Sequence, residues 1–424
     1  MLHVASVDTF PLTERIVGHV PTDTALRTGV GRGLNTYPGA DDDGWSITAS
    51  VVLSDGTRVR LLKDGEALHC WYDAVCSARK SILLETYIFA ADQTGRAFQQ
   101  ELIKKARAGV RVFVMYDSFG SWATDRSFFS EMKAAGVHVC EFHPLSPAKC
   151  SYSWRPFNRN HSKLLIIDRN FAGLGGLNIA NEYGGSWVSS GETNPDDLWR
   201  DCGISLEGPV AADFATSFGR TWLYATHGGR FIRALTSHNL DGAKGPVGLL
   251  SSVPSMGSQL SRLLEQVLRD ARKSIDLTAA YFAPGDELIR LLCAAARKGV
   301  RVRLMLPSRT DARIMITAAR SFYEQLLGAG IVIYERQHVK LHAKTLVVDD
   351  AVSVLGSTNF DYRSIDYNCE LAAVIRSGEF GQQMKALFEH DIAFSATIDP
   401  KAWRHRPYMD RLVQWGVNRS RTLL

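Results

Sequence analysis

The chain repeats itself, and that limits its fold more than any other feature. ARKSI occurs at 78–82 and again at 271–275, each time leading into an apolar run that ends near Phe89 or Phe282. The segments RAFQQELIKKARAGVRV and DELIRLLCAAARKGVRV follow, and each reads as a helix ended by a glycine before a VRV strand. A further helix closes on AAGVHV at 134–139 and on GAGIVI at 328–333. This is a β-α-β-α-β order twice over. It predicts an α/β fold of two tandem repeats, each a mostly parallel sheet flanked by helices.

A second duplication carries chemistry. HSKLLIID at 161–168 recurs as HAKTLVVD at 342–349, and both spell His-x-Lys-x4-Asp. Gly175 and Asn178 keep the same spacing after His161 as Gly356 and Asn359 keep after His342. Apolar runs flank Arg169-Asn170 and Asp350-Ala351, so each copy reads as a hairpin with a two-residue turn at that pair. Folding about that point sets Asn178 opposite His161 and Gly176 opposite Lys163. In the second copy Asn359 faces His342 and Ser357 faces Lys344. Residues two apart share a strand face, so each open end gathers a histidine, a lysine, an amide and a small residue.

Such a group makes a compact cationic pocket for a tetrahedral oxyanion such as phosphate. Two pockets brought together by pseudo-twofold packing of the repeats form one active site able to hold one phosphodiester. A neutral imidazole attacks phosphorus while an opposing imidazolium protonates the leaving alkoxide, giving a phosphohistidine. The lysines and asparagines stabilise the non-bridging oxygens, so this logic requires no cofactor and no metal.

The doubled His-x-Lys-x4-Asp, with GGLNIANEY after the first copy and GSTNFDYRS after the second, resembles the phospholipase D superfamily from about Ala78 to Ile375. With WRDCGISLEGPV at 199–210 and the stretch from HAKTLVVD through NCEL, it is most similar to bacterial cardiolipin synthases. The resemblance implies a phosphatidyltransferase in which His161 is the nucleophile and His342 the general acid and later base. Lys163, Lys344, Asn178 and Asn359, with Gly176 and Ser357, would bind the phosphate. Asp201 and Glu370 match the acids that orient the histidines, and Asp168 and Asp349 complete the catalytic motifs, more as turn anchors than as substrate contacts. Implied partners are phosphatidylglycerol, phosphatidylethanolamine and an anionic membrane surface. Related readings are a phospholipase D or phosphodiesterase with water as acceptor, and a superfamily nuclease. Many cardiolipin synthases begin with two membrane-spanning helices; this sequence shows none and resembles the shorter members.

Composition bounds the setting. Seven scattered cysteines without a CxxC pair argue against a disulfide framework or zinc module, and fit a reducing cytoplasm. No window is apolar enough to span a membrane, and the N-terminus lacks the order of a signal peptide. The net charge of +5 resides entirely in residues 401–424, where six cations face only Asp410. An electroneutral body disfavours an extended nucleic-acid groove, so no nucleic-acid partner is expected. The tail also holds Trp403, Tyr408, Leu412, Val413, Trp415 and Val417, a mixture suited to an anionic membrane interface or to a solvated, frayed helix. This places the protein peripherally at the inner face of the cell membrane. The expected division is an extension at 1–60, a first repeat at 61–225, a linker at 226–245, a second repeat at 246–400 and a tail at 401–424. Tyr87, Phe89, Tyr281 and Phe282 could line a substrate pocket, but read more readily as core packing at strand ends. His138, His143 and His338 are given no role.

Overall fold

The computed structural model describes Trp45 and residues 49–146, 157–184, 198–227, 245–252, 259–361, 364 and 367–420. The first repeat supplies β1 (Val51–Val52), β2 (Arg58–Lys63), β3 (Ser81–Thr86), β4 (Arg111–Asp117), β5 (His138–Phe142), β6 (Leu164–Ile167) and β7 (Phe171–Gly175). It continues with β8 (Trp199–Arg200) and β9 (Cys202–Glu207), and its helices are α1 (Gly65–Ser77), α2 (Gln93–Arg107), α3 (Arg126–Ala134) and α4 (Ala211–His227). Thus β1 and the start of β2 lie within the stretch read as an N-terminal extension.

The second repeat runs β10 (Val247–Ser252), α5 (Gln259–Asp270), β11 (Ser274–Ala279), β12 (Phe282–Ala283), α6 (Asp286–Arg297) and β13 (Arg301–Pro307). After α7 (Arg313–Arg320) and α8 (Tyr323–Gly328) come β14 (Val332–Arg336), β15 (Lys340–Leu341), β16 (Lys344–Val348) and β17 (Val352–Gly356). It ends with β18 (Phe360–Asp361), β19 (Glu370–Arg376), α9 (Gly378–Ile392), β20 (Ser395–Thr397), α10 (Pro400–Arg404) and α11 (Tyr408–Arg419).

Each repeat builds an eight-stranded sheet, ordered β1-β2-β9-β7-β6-β3-β4-β5 and β10-β19-β17-β16-β11-β13-β14-β20. Seven strands match in order; β1 and β20 are extra strands at opposite edges. The parallel expectation holds for β3-β4-β5 and β11-β13-β14, where α2, α3, α6 and α7–α8 make the crossovers. Every other neighbouring pair is antiparallel, so the sheets are mixed rather than mostly parallel. The reason is the tight hairpin of each motif, which can only return antiparallel and passes that sense to the strands beyond it.

Local signals place the elements. Asp92 caps α2 by accepting from Gly95 N, and the glycines that end the duplicated helices, Gly109 at φ +88° and Gly299 at φ +90°, occupy the left-handed region that turns the chain into β4 and β13. All six residues of β11 are buried, as a strand covered by helices on both faces requires. One core forms in each repeat, around Leu84, Val112 and Leu165 in the first and Leu277, Leu304 and Leu346 in the second.

The hairpin turns differ from expectation by one residue. Leu164 pairs with Leu174 and Ile167 with Phe171, leaving a three-residue connection at 168–170. The left-handed pairs are Asp168-Arg169 and Asp349-Asp350, not Arg169-Asn170 and Asp350-Ala351. This register is one short of the one that sets Lys163 against Gly176 or Lys344 against Ser357. Aspartate tolerates positive φ, and the Asp168 carboxylate is held by the backbone N–H groups of Arg79, Lys80 and Ser81. Asp349 accepts from Arg272, Lys273 and Ser274 in the same way, so the ARKSI repeats are sockets for the motif aspartates.

The basic stretch folds onto the second repeat. The Trp403 ring lies tilted against Tyr323 with centroids 4.9 Å apart, Arg406 bonds Glu324 and Gln414, and α11 packs on α7.

Candidate active site

The two histidines are carried by backbone that belongs half to each repeat. His161 N–H donates to the Cys369 carbonyl at 2.9 Å, and Cys369 N–H returns to the Arg159 carbonyl at 2.8 Å. In the related half, β15 pairs in parallel with β8, and His342 N–H donates to the Arg200 carbonyl at 2.8 Å. The residue after Cys369 is Glu370 and the residue after Arg200 is Asp201. Each strand junction therefore delivers an acid from one repeat to the histidine of the other.

The resulting pairs are crossed. His342 Nδ1 lies 2.6 Å from Asp201 Oδ2, and His161 Nδ1 lies 3.2 Å from Glu370 Oε1. His161 Nδ1 also faces the Ser357 carbonyl at 3.1 Å, an oxygen that can only accept. The proton on neutral His161 therefore sits on Nδ1, leaving the lone pair on Nε2. Burial alone would raise the Asp201 carboxyl, but His342 and Lys344 hold it below the ordinary carboxylate range, so it accepts from His342 Nδ1.

Lys163 Nζ donates to the His161 carbonyl at 2.6 Å, and Lys344 Nζ makes the same bond to the His342 carbonyl. The two-residue spacing thus folds each lysine back beneath its own histidine. Burial pushes Lys163 down to about 7 and Lys344 down to about 8, with Glu370 and Asp201 opposing on both. Burial, then the lysine of its own motif, also depresses each histidine; His342 falls to about 3. Both imidazoles are neutral at pH 7 without ligand, and each acid acts on both lysines. The two motifs share one electrostatic centre.

The remaining sequence-assigned residues divide. Asn178 and Asn359 are buried beside the hairpin ends. Asn178 Oδ1 accepts from Ile88 N–H and its Nδ2 donates to Tyr183 Oη, whereas Asn359 Oδ1 has no hydrogen-bond partner. Gly176 and Ser357, expected to bind phosphate, stand beside the carboxylates. Ser357 Oγ donates to Glu370 Oε2 at 2.5 Å, while a Cβ on Gly176 would strike the Asp201 carboxylate. Asp168 and Asp349 stand at the far end of their hairpins, five residues or about 16 Å along the strand from Lys163 and Lys344. They bond backbone there, so they are anchors rather than catalytic contacts.

Sequence reading missed four residues. Tyr87, read as core, sets its ring 5.0 Å from the His161 ring and 5.3 Å from Lys163 Nζ. Trp199 packs edge-on to His342 at 4.8 Å, and Tyr183 at 5.4 Å. Glu85, buried in β3 and pushed up to about 7, accepts from Asn160 Nδ2 next to His161. Glu85 was findable, because an acid inside an apolar strand calls for a buried partner.

Two sheets in the same strand order, meeting at crossed histidine–carboxylate pairs, define a two-motif phospholipase D-type centre. The family described as "Cardiolipin synthase, PLD-like domain" matches residues 72–194 and 264–392. The chain belongs to that family, which makes it a phosphatidyltransferase of the phospholipase D superfamily. It is 31% identical over 367 residues to a cardiolipin synthase of Alkalihalophilus pseudofirmus, covering 85% of this chain and 71% of that one. It is 32% identical over 372 residues to cardiolipin synthase 1 of Bacillus anthracis, with the same coverages. Among solved structures, phosphatidylserine synthase of Haemophilus influenzae shares the fold with a TM-score of 0.68 at 14% identity, over 88% of this chain and 97% of that one.

Proposed function

We propose that the chain makes cardiolipin, moving a phosphatidyl group from one phosphatidylglycerol to the hydroxyl of another. The observation that carries this reading is the crossed pairing of two buried histidines with acids of the opposite repeat, above two buried lysines. The names of the similar curated proteins supply the lipid class.

His161 Nε2 attacks phosphorus, forming a P–N bond while the P–O bond to the head-group alcohol breaks. The leaving alkoxide takes a proton from His342. The negative phosphodiester and Asp201 together raise the His342 basicity on binding, against the lysine that lowers it beforehand. The acceptor hydroxyl then returns its proton to His342 as its oxygen attacks phosphorus, and the P–N bond breaks. Lys163 and Lys344 neutralise the non-bridging oxygens, and the Asn359 amide donates beside them. The seat of this chemistry is the cytoplasmic membrane face.

The test is to incubate the protein with phosphatidylglycerol vesicles, with and without phosphatidylethanolamine, and identify lipid and alcohol products. Cardiolipin and glycerol are expected, and His161→Ala should yield neither. Ethanolamine release would change the donor, and phosphatidic acid alone would replace transfer with hydrolysis.

A further inference from the structure

Several of the most exposed apolar side chains among the described residues stand on loops bonded to this site. Trp122 is 77% exposed and shares a loop with Phe119 at the carboxyl end of β4. That loop is tied to the site, because Ser121 Oγ donates to the carbonyl of Tyr87, whose ring lies against His161. Phe157, 75% exposed, and Tyr367 each stand two residues ahead of Arg159 and Cys369, the pair whose backbone bond holds His161.

The terminal helix α11 approaches the second motif through β12. Val417 on its inner side joins a small cluster with Tyr281, Ala283 and Met315. Ala283 lies in β12, which pairs with β18 immediately after Asn359. The outer side of α11 presents Leu412 and Trp415, with the Arg419 guanidinium 4.9 Å over the Trp415 ring. Exposed Arg404 and Arg411 add positive charge to the same terminal segment.

We infer that this rim docks on an anionic phospholipid surface and holds the catalytic opening against the bilayer. Tryptophan and arginine together suit the boundary between headgroups and acyl chains, and the positive excess of the segment complements anionic lipid. A protein seated on the rim would cap the opening that a lipid headgroup must reach, whereas a bilayer presents headgroups there. The inference rests on the phospholipid reading of the site.

The test uses the full chain with vesicles of phosphatidylcholine alone or mixed with phosphatidylglycerol. Trp122→Ser, Phe157→Ser and Trp415→Ser combined should cut sedimentation with the mixed vesicles by at least about tenfold. Turnover of monomeric short-chain phosphatidylglycerol should stay at the wild-type rate. As a fold-preserving measurement, brominated acyl chains should quench wild-type tryptophan emission, and Trp122→Phe with Trp415→Phe should remove most of that quenching. Unchanged vesicle binding overturns the proposal, as does equal loss on the monomeric substrate, which would place these residues in the site itself. A change from dimer to monomer with vesicle binding intact gives the face to a second copy and also overturns it. Rim-dependent binding by a chain that releases no alcohol from any phospholipid would sink the catalytic reading and leave the rim standing.

Discussion

The two lysines set the pH range of the site. Lys163 and Lys344 are depressed by burial to about 7 and about 8, so each loses its charge as pH rises through that interval in the free enzyme. In the proposed mechanism phosphate binding needs that charge, and kcat/KM reports the free enzyme. A falling alkaline limb between about pH 7 and 8 is therefore expected. Lys163→Arg keeps its charge at any accessible pH and should move that limb upward whatever it does to the maximal rate. A pH profile of kcat/KM for both forms checks this, and an unmoved limb would remove Lys163 from the titration. The histidines do not produce this limb, because both are lowered rather than raised.

At the scale of elements, each motif hairpin has two ends with separate duties. The open end carries the histidine and lysine, while the turn carries an aspartate that accepts three backbone N–H groups. Asp168→Ala should therefore cost roughly 1–3 kcal/mol through the unsatisfied donors, while the folded fraction keeps turnover within a few-fold. Thermal melts and active-fraction kinetics distinguish this from a catalytic loss. Duplication made the hairpins, the glycine-ended helices and both motifs legible in the sequence. The turn register was not legible, because Asp168 and Asp349 take left-handed conformations through bonds to residues about eighty positions away. Tyr87 was misread as core for a similar reason: a strand-end aromatic looks alike whether it faces a core or a histidine. Gly176 and Ser357 lie one register step from their expected places opposite the lysines, and their neighbours Asp201 and Glu370 are brought in by the β-bridges between repeats.

Over the whole molecule, the repeats are fastened where the site is made. The Arg200 guanidinium binds Asp391 of the second repeat through two bonds at 2.8 and 2.9 Å and also reaches Asp64 of the first. Its own carbonyl holds His342, and its neighbour is Asp201. Asp391→Ala leaves a buried guanidinium short of its main partner and should cost about 3–5 kcal/mol. It should also lower turnover of the still-folded protein more than Asp168→Ala does, because Arg200 positions both members of a histidine–acid pair. Denaturation curves alongside kcat measure both effects, and a purely stability-linked loss would contradict this role.

The crossed acids give this single polypeptide the heredity of a twofold dimer. Neither half owns a complete charge pair, so no substitution near a histidine is private to the half in which it occurs. The halves nevertheless differ in matched sets: a shorter acid beside a glycine in one, a longer acid steered by a serine hydroxyl in the other. A serine introduced at Gly176 alone would collide with Asp201, so divergence here can only proceed by compensated steps.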